Sequence, residues 1–150
     1  MSKSWFRAWF WPIRSNMGRW AYTMQRVSGI AVSLYFLAHI IETGSAVGGL
    51  SIWSVPAYDF AKTSWNNTAG FLENPIFDIG LIVIGFLLTF HSFNGLRLFF
   101  GEFGYGIGKP RRPDYPYKPK SQNTVQDLII WLSAILAATA AVYALNVLFW

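Results

Sequence analysis

Over residues 81–97 the chain reads Leu-Ile-Val-Ile-Gly-Phe-Leu-Leu-Thr-Phe-His-Ser-Phe-Asn-Gly-Leu-Arg: about three turns of apolar helix, then a histidine, a glycine and an arginine. At ~1.5 Å rise per residue, the surrounding run 76–100 is long enough to cross the ~30 Å hydrocarbon core of a bilayer, which puts His91 inside it. An ionisable, metal-capable side chain is costly at that depth unless it has a partner. His91 and Gly95 share one helix face, so the spacing predicts a gap beside the imidazole that a flat macrocycle can use. Arg97 lies ~9 Å nearer the helix end, where an acidic edge of such a cofactor would meet the headgroups. A haem ligated by His91 is one reading. The other is a histidine bonded to a neighbouring helix, a glycine that permits close packing and an arginine that snorkels; periodicity does not separate the two.

With 53% hydrophobic against 13% charged residues in 150, the chain is one domain at most and suits a membrane rather than water. It has no cysteine, so disulfides, thiolate metal sites and cysteine nucleophiles are excluded, and His39 and His91 are the only histidines left for metal ligation. The net charge of +5 does not argue for nucleic acid, because the basic residues flank the apolar spans and form no nucleic-acid motif. The start, Trp5-Phe-Arg-Ala-Trp-Phe-Trp11 followed by Pro12, lacks the continuous apolar core of a cleavable signal and reads as an interfacial segment.

Taken in order, residues 1–26 carry Lys3, Arg7, Arg14, Arg19 and Arg26 with no acid, which marks this end as the inner side. Residues 27–47 form a first span. Tyr35, His39, Thr43 and Ala46 share a face expected to turn toward other helices, while Leu34, Leu37 and Ile41 meet lipid. Residues 48–75 are an outer loop with a short interfacial helix expected around 55–65. The second span is 76–100, and the Gly- and Pro-rich, basic segment 101–123 returns to the inner side. A third span, 125–148, carries Ser133, Ala137 and Ala141 as a small-residue stripe for close packing. The expected fold is all-α, a single membrane-anchor domain over 1–150 with three transmembrane helices, N-terminus in and C-terminus out.

The depths of the two histidines differ. Thirteen residues separate His39 from Arg26, about 20 Å, whereas His91 is ~9 Å from Arg97 on the same side. Axial ligands of one upright haem must lie at nearly equal depth, so the two would serve different haems, each completed by a histidine from another chain. Six-coordinate sites of that kind suit electron transfer.

Gln25-Arg-Val-Ser-Gly29 at the start of the first span and His91-Ser-Phe-Asn-Gly-Leu-Arg97 late in the second resemble the cytochrome b membrane-anchor subunit of succinate dehydrogenase, complex II. The resemblance takes in the separation of the motifs, the exit Phe100-Gly-Glu-Phe-Gly104 and the three-span plan, over about 20–150. It implies His91 as a haem b ligand, Arg26 near both a haem propionate and the quinone, and Arg97 as a propionate partner. Where the family commonly has a quinone-contacting serine this chain has Tyr22, whose hydroxyl can donate to a quinone carbonyl, and where it commonly has a histidine this chain has Gln25. His39 resembles the distal ligand of two-haem members. The resemblance further implies one or two haems shared with a second membrane-anchor subunit that completes the helical bundle, ubiquinone or menaquinone as the quinone, and partners in a flavoprotein and an iron–sulfur subunit on the N-terminal side. Succinate chemistry then belongs to another chain, and this one has no catalytic residue. The setting is a bacterial or archaeal cytoplasmic membrane or the mitochondrial inner membrane.

Other readings remain. One is an anchor of a quinol:fumarate reductase, or a haem b anchor of another respiratory dehydrogenase or hydrogenase, the latter disfavoured by the Arg-x-Ser-Gly signature. Another is a haem-free assembly or transport protein in which His39, Glu42 and His91 form a polar relay, although neither repeats nor further spans are present.

Overall fold

A computed structural model of the chain describes residues 17–44, 58–107 and 124–149. Among these the fold is all-α, with helices α1 (Met17–Gly44), α2 (Tyr58–Leu72), α3 (Pro75–Glu102) and α4 (Thr124–Phe149). Helices α1, α3 and α4, of 28, 28 and 26 residues, are long and apolar enough to cross a membrane. At ~1.5 Å per residue each exceeds the ~30 Å hydrocarbon core, so their ends reach the headgroups.

Helix α1 begins at Met17, ten residues before the expected start of the first span at Val27. The intervening Met-Gly-Arg-Trp-Ala-Tyr-Thr-Met-Gln-Arg has no proline, and its one poor helix former, Gly18, sits in the first turn, so nothing stops the helix from running on into the polar region. The first ten residues of α1 therefore belong to the same rod as the span. Helix α2 is longer than expected and starts later. Residues 1–16, with the Trp-rich start, and 45–57, 108–123 and 150 lie outside the described residues.

Helix α3 is bounded by local chemistry. Asn74 caps it, its side chain accepting from the Ile76 N–H at 3.0 Å, with Pro75 at the first helical position and Asp78 in the first turn. Its other end is closed by paired backbone bonds: Gly104 N–H to Gly101 O at 2.9 Å and Tyr105 N–H to Phe100 O at 3.1 Å. Gly104 sits at φ +84°, and the rings of Tyr105 and Phe100 meet edge-on at 6.4 Å. This is a Schellman closure with its apolar contact. It stops α3 sharply and turns the chain back toward the start of α4.

Helix α3 is the central member: it packs along α4 and along α1, which scarcely touch each other. The buried core is small, namely Met17, Ala21, Phe90, Ile130 and Ala137, with Trp20 edge-on to Phe90 at 5.3 Å. Ser133 and Ala137 of the small-residue stripe are buried as expected, while Ala141 is half-buried. Most large apolar side chains face outward, among them Leu34, Leu37 and Ile41 on α1. Helices apolar on nearly every side are stable only where lipid or another protein covers them. The chain is an integral membrane protein whose own core is only part of its packing.

Candidate functional site

Helices α1 and α3 come together where Gln25, Ser28 and Gly29 face His91. The His91 Nδ1 lies 3.2 Å from the Gln25 backbone oxygen and 3.1 Å from the Ser28 Oγ. A carbonyl can only accept, so Nδ1 carries the proton and Nε2 keeps its lone pair. The Ser28 hydroxyl is consistent with this: it donates to the same Gln25 oxygen at 3.2 Å, leaving its own oxygen to accept from Nδ1–H. Ser28 is fully buried. Gly29 lets the ring lie against α1, since a Cβ there would come 3.0 Å from His91 Cε1.

A chain of hydrogen bonds runs from this contact toward the end of the bundle. Gln25 donates through Nε2 to the His91 backbone oxygen at 3.2 Å and accepts through Oε1 from Asn94 Nδ2 at 2.8 Å. Asn94 Oδ1 accepts from Arg97 Nε at 2.9 Å, and Arg97 Nη1 donates to Gln126 Oε1 on α4. Gln126 Nε2 reaches the Gly106 carbonyl at 3.3 Å, tying in the turn after α3. Asn94 is fully buried and Gln126 nearly so, and among the described residues no buried side-chain polar atom lacks a partner. A satisfied buried network of this kind fixes one register between three helices, because any slip orphans several groups together.

The gap expected beside His91 at Gly95 is not open. The Gln25 side chain fills it, and a Cβ on Gly95 would come 3.2 Å from Gln25 Nε2. Gly95 thus admits an α1 side chain rather than a macrocycle, and it is Gly29 that clears the imidazole.

Tyr22, Gln25, Arg26, Arg97, Glu102 and Gln126 line an open cleft of about 720 Å³ at the same end of the bundle. Tyr22 and Arg26 are exposed, and the Arg26 guanidinium sits 4.5 Å above the Tyr22 ring, a cation–π pair one helical turn apart. The three candidates Tyr22, Arg26 and Arg97 therefore share one cleft. Arg97 is anchored to Asn94 and Gln126 and keeps the rest of its guanidinium for that space.

His39 is elsewhere. It lies eleven residues beyond Ser28 on α1, ~16 Å by helical rise, whereas His91 is level with Ser28. Its side chain is 47% exposed, with Nδ1 4.0 Å from Glu42 Oε2 and the ring stacked on Tyr35 at 5.7 Å. On the face shared with Tyr35 and Thr43, expected to turn toward other helices, no described helix of this chain covers His39; Ala46 lies outside the described residues. Distance also separates the proposed relay, since His39 and Glu42 pair with each other but not with His91.

Among the described residues no three His, Asp or Glu side chains come together to hold a metal ion. His91 offers one imidazole whose Nδ1–H is held by a carbonyl, which leaves Nε2 as the nitrogen that would ligate a haem iron, were one bound. Gln25, Ser28, Asn94 and Gln126 were not among the residues expected at the site. A buried asparagine and glutamine in otherwise apolar helices were the readable signal, because such groups need partners inside a membrane.

The model of the succinate dehydrogenase/fumarate reductase transmembrane subunit family matches residues 9–142. No curated protein sequence and no solved structure matches the chain. A match over nearly its whole length, together with three membrane-spanning helices and a histidine-centred contact between two of them, leads to one assignment: the chain belongs to the succinate dehydrogenase/fumarate reductase transmembrane subunit family.

Proposed function

We propose that this membrane subunit of an oxidoreductase complex holds haem b through His91, forms part of a quinone site with Tyr22 and Arg26, and carries no succinate chemistry itself. The observation that supports this best is the His91 Nδ1 contact to the Gln25 carbonyl, which leaves Nε2 as the ligating nitrogen. Bound haem supplies one-electron transfer between the iron–sulfur partner and quinone. This chain's residues orient and charge-balance the site. Ser28 and the Gln25 carbonyl fix the plane of the imidazole, and Gly29 makes room for it. Arg97, braced by Asn94 and Gln126, suits a propionate. Arg26 and the Tyr22 hydroxyl are donors for a quinone carbonyl, and either stabilises negative charge developing on that oxygen.

His39 is proposed as ligand to a second, separate haem. Glu42 lies 4.0 Å from Nδ1, which leaves Nε2 as the nitrogen for ligation, and the ~16 Å offset from His91 supports separate irons. Each haem then needs a histidine from a second membrane-anchor subunit, for which the exposed apolar surface leaves room. The basic residues at the cleft end, Arg19, Arg26 and Arg97, favour that end as the inner side, where the flavoprotein and iron–sulfur subunits dock.

The test is a pyridine-haemochrome count of haem b per covalent flavin on the complex purified through this chain. Two per flavin is the expected result. One would remove His39 from the ligand set, and none would overturn the electron-transfer reading.

A further inference from the structure

Gln25 touches both His91 and the cleft. Its backbone oxygen accepts from His91 Nδ1, its Nε2 donates to the His91 backbone oxygen, its Oε1 accepts from Asn94, and its side chain lines the cleft with Tyr22 and Arg26. A carboxamide has two N–H donors and two oxygen lone pairs, and these contacts take one of each. One N–H remains for an acceptor in the cleft. The two hydrogen bonds of this side chain, at 3.2 and 2.8 Å, share one planar amide, so a displacement at one is passed to the other.

We propose that Gln25 is a positioning residue that transmits occupation of the cleft by a carbonyl-bearing ring, a quinone, to the His91 imidazole. An oxygen acceptor that engages the remaining N–H draws the amide toward the cleft and alters its bond to the His91 backbone. The imidazole, fastened to the same residue through Nδ1, then shifts its angle or its hydrogen-bond strength. The Gly95 gap gives the amide a seat without a side chain on α3 to jam it. The inference rests on His91 as the haem ligand and on the cleft as the quinone site.

The experiment uses the whole complex, fully oxidised so that no electron moves, titrated with oxidised decylubiquinone and separately with a short-chain menaquinone. The readout is the Soret difference spectrum of the ferric haem. The wild-type complex should give a saturable difference band with at least one quinone. Gln25→Met preserves side-chain length and the backbone carbonyl, so haem content should be kept while the band falls at least fivefold. Gln25→Glu retains an acceptor for Asn94 and serves as a second variant, with the same loss expected, should Gln25→Met fail to assemble. A variant that keeps both haem and the full band overturns the proposal, as does a wild-type complex that contains haem but gives no band. A wild-type complex without haem overturns the reading of His91 together with it, so the two failures are distinguishable.

Discussion

The Nδ1 of His91 and the backbone oxygen of Gln25, sixty-six positions apart in sequence, lie 3.2 Å from each other across the α1–α3 contact. Because the acceptor is a carbonyl, the contact both orients the imidazole and decides its tautomer. Mutation of Gln25 cannot remove that acceptor, since it belongs to the backbone. The variants that test the contact must therefore act on how close α1 comes.

Gly29 sets that distance. A Cβ there would come 3.0 Å from His91 Cε1, and the ring cannot retreat freely because its Nδ1 is bonded to Ser28 and Gln25 of the same helix. Gly29→Ala should destabilise the α1–α3 contact by about 1–3 kcal/mol. Gly29→Val should do more and lower haem content, as measured by haemochrome assay against protein. Normal haem content in Gly29→Val would show that the ring does not lie against α1.

Removing the two histidines separates the two proposed sites. His91→Ala should abolish the haem nearest the cleft and disturb the α1–α3 contact, whereas His39→Ala, at a half-exposed side chain away from that contact, should leave that haem and the fold intact. Low-temperature reduced-minus-oxidised spectra of both variants check this. If both retain full haem content, the ligand assignment is wrong.

Asn94 is buried and joins Gln25 to Arg97. Asn94→Leu removes the donor to Gln25 Oε1 and the acceptor for Arg97 Nε, orphaning two polar groups. The expected loss of stability is about 1–3 kcal/mol, read as a lower thermal midpoint of the solubilised complex. A midpoint unchanged from wild type would show that the network does not hold the three helices in register.

Arg97→Lys keeps the charge but loses the fork. One ammonium cannot bond Asn94 and Gln126 in the geometry that Nε and Nη1 achieve together. The variant should retain haem with a shifted midpoint potential, measured by redox titration, because the cation beside the cleft is no longer fixed in place. An unaltered potential would take Arg97 away from the haem edge.

Gly104 is the left-handed residue that closes α3. Gly104→Ala should cost about 1 kcal/mol through backbone strain alone, with no effect on the haem spectrum. Thermal unfolding combined with the absorption spectrum separates this outcome from damage to the site.

Residue order alone was enough for the class of the fold and for the grouping of Tyr22, Arg26 and Arg97 at one end of it. Apolar length fixed three spans, and the Phe-Gly-Tyr-Gly run at 103–106 marked where the second of them ends. Spacing also separated His39 from His91 in depth, because helical rise is nearly constant and a count of residues is a count of ångströms. The side of each helix that faces another was less legible. Periodicity says little in helices that are apolar almost all round, and within this chain no described helix covers the face of α1 that carries His39. It took the packing of the helices to show that Gln25 occupies the space at Gly95, that Gly29 receives the His91 ring, and that Gln126, from the third long helix, holds Arg97. Those relationships depend on the relative rotation and height of separate helices, which are set by packing and by buried hydrogen bonds between them, and neither quantity is written in the local order of residues along any one helix.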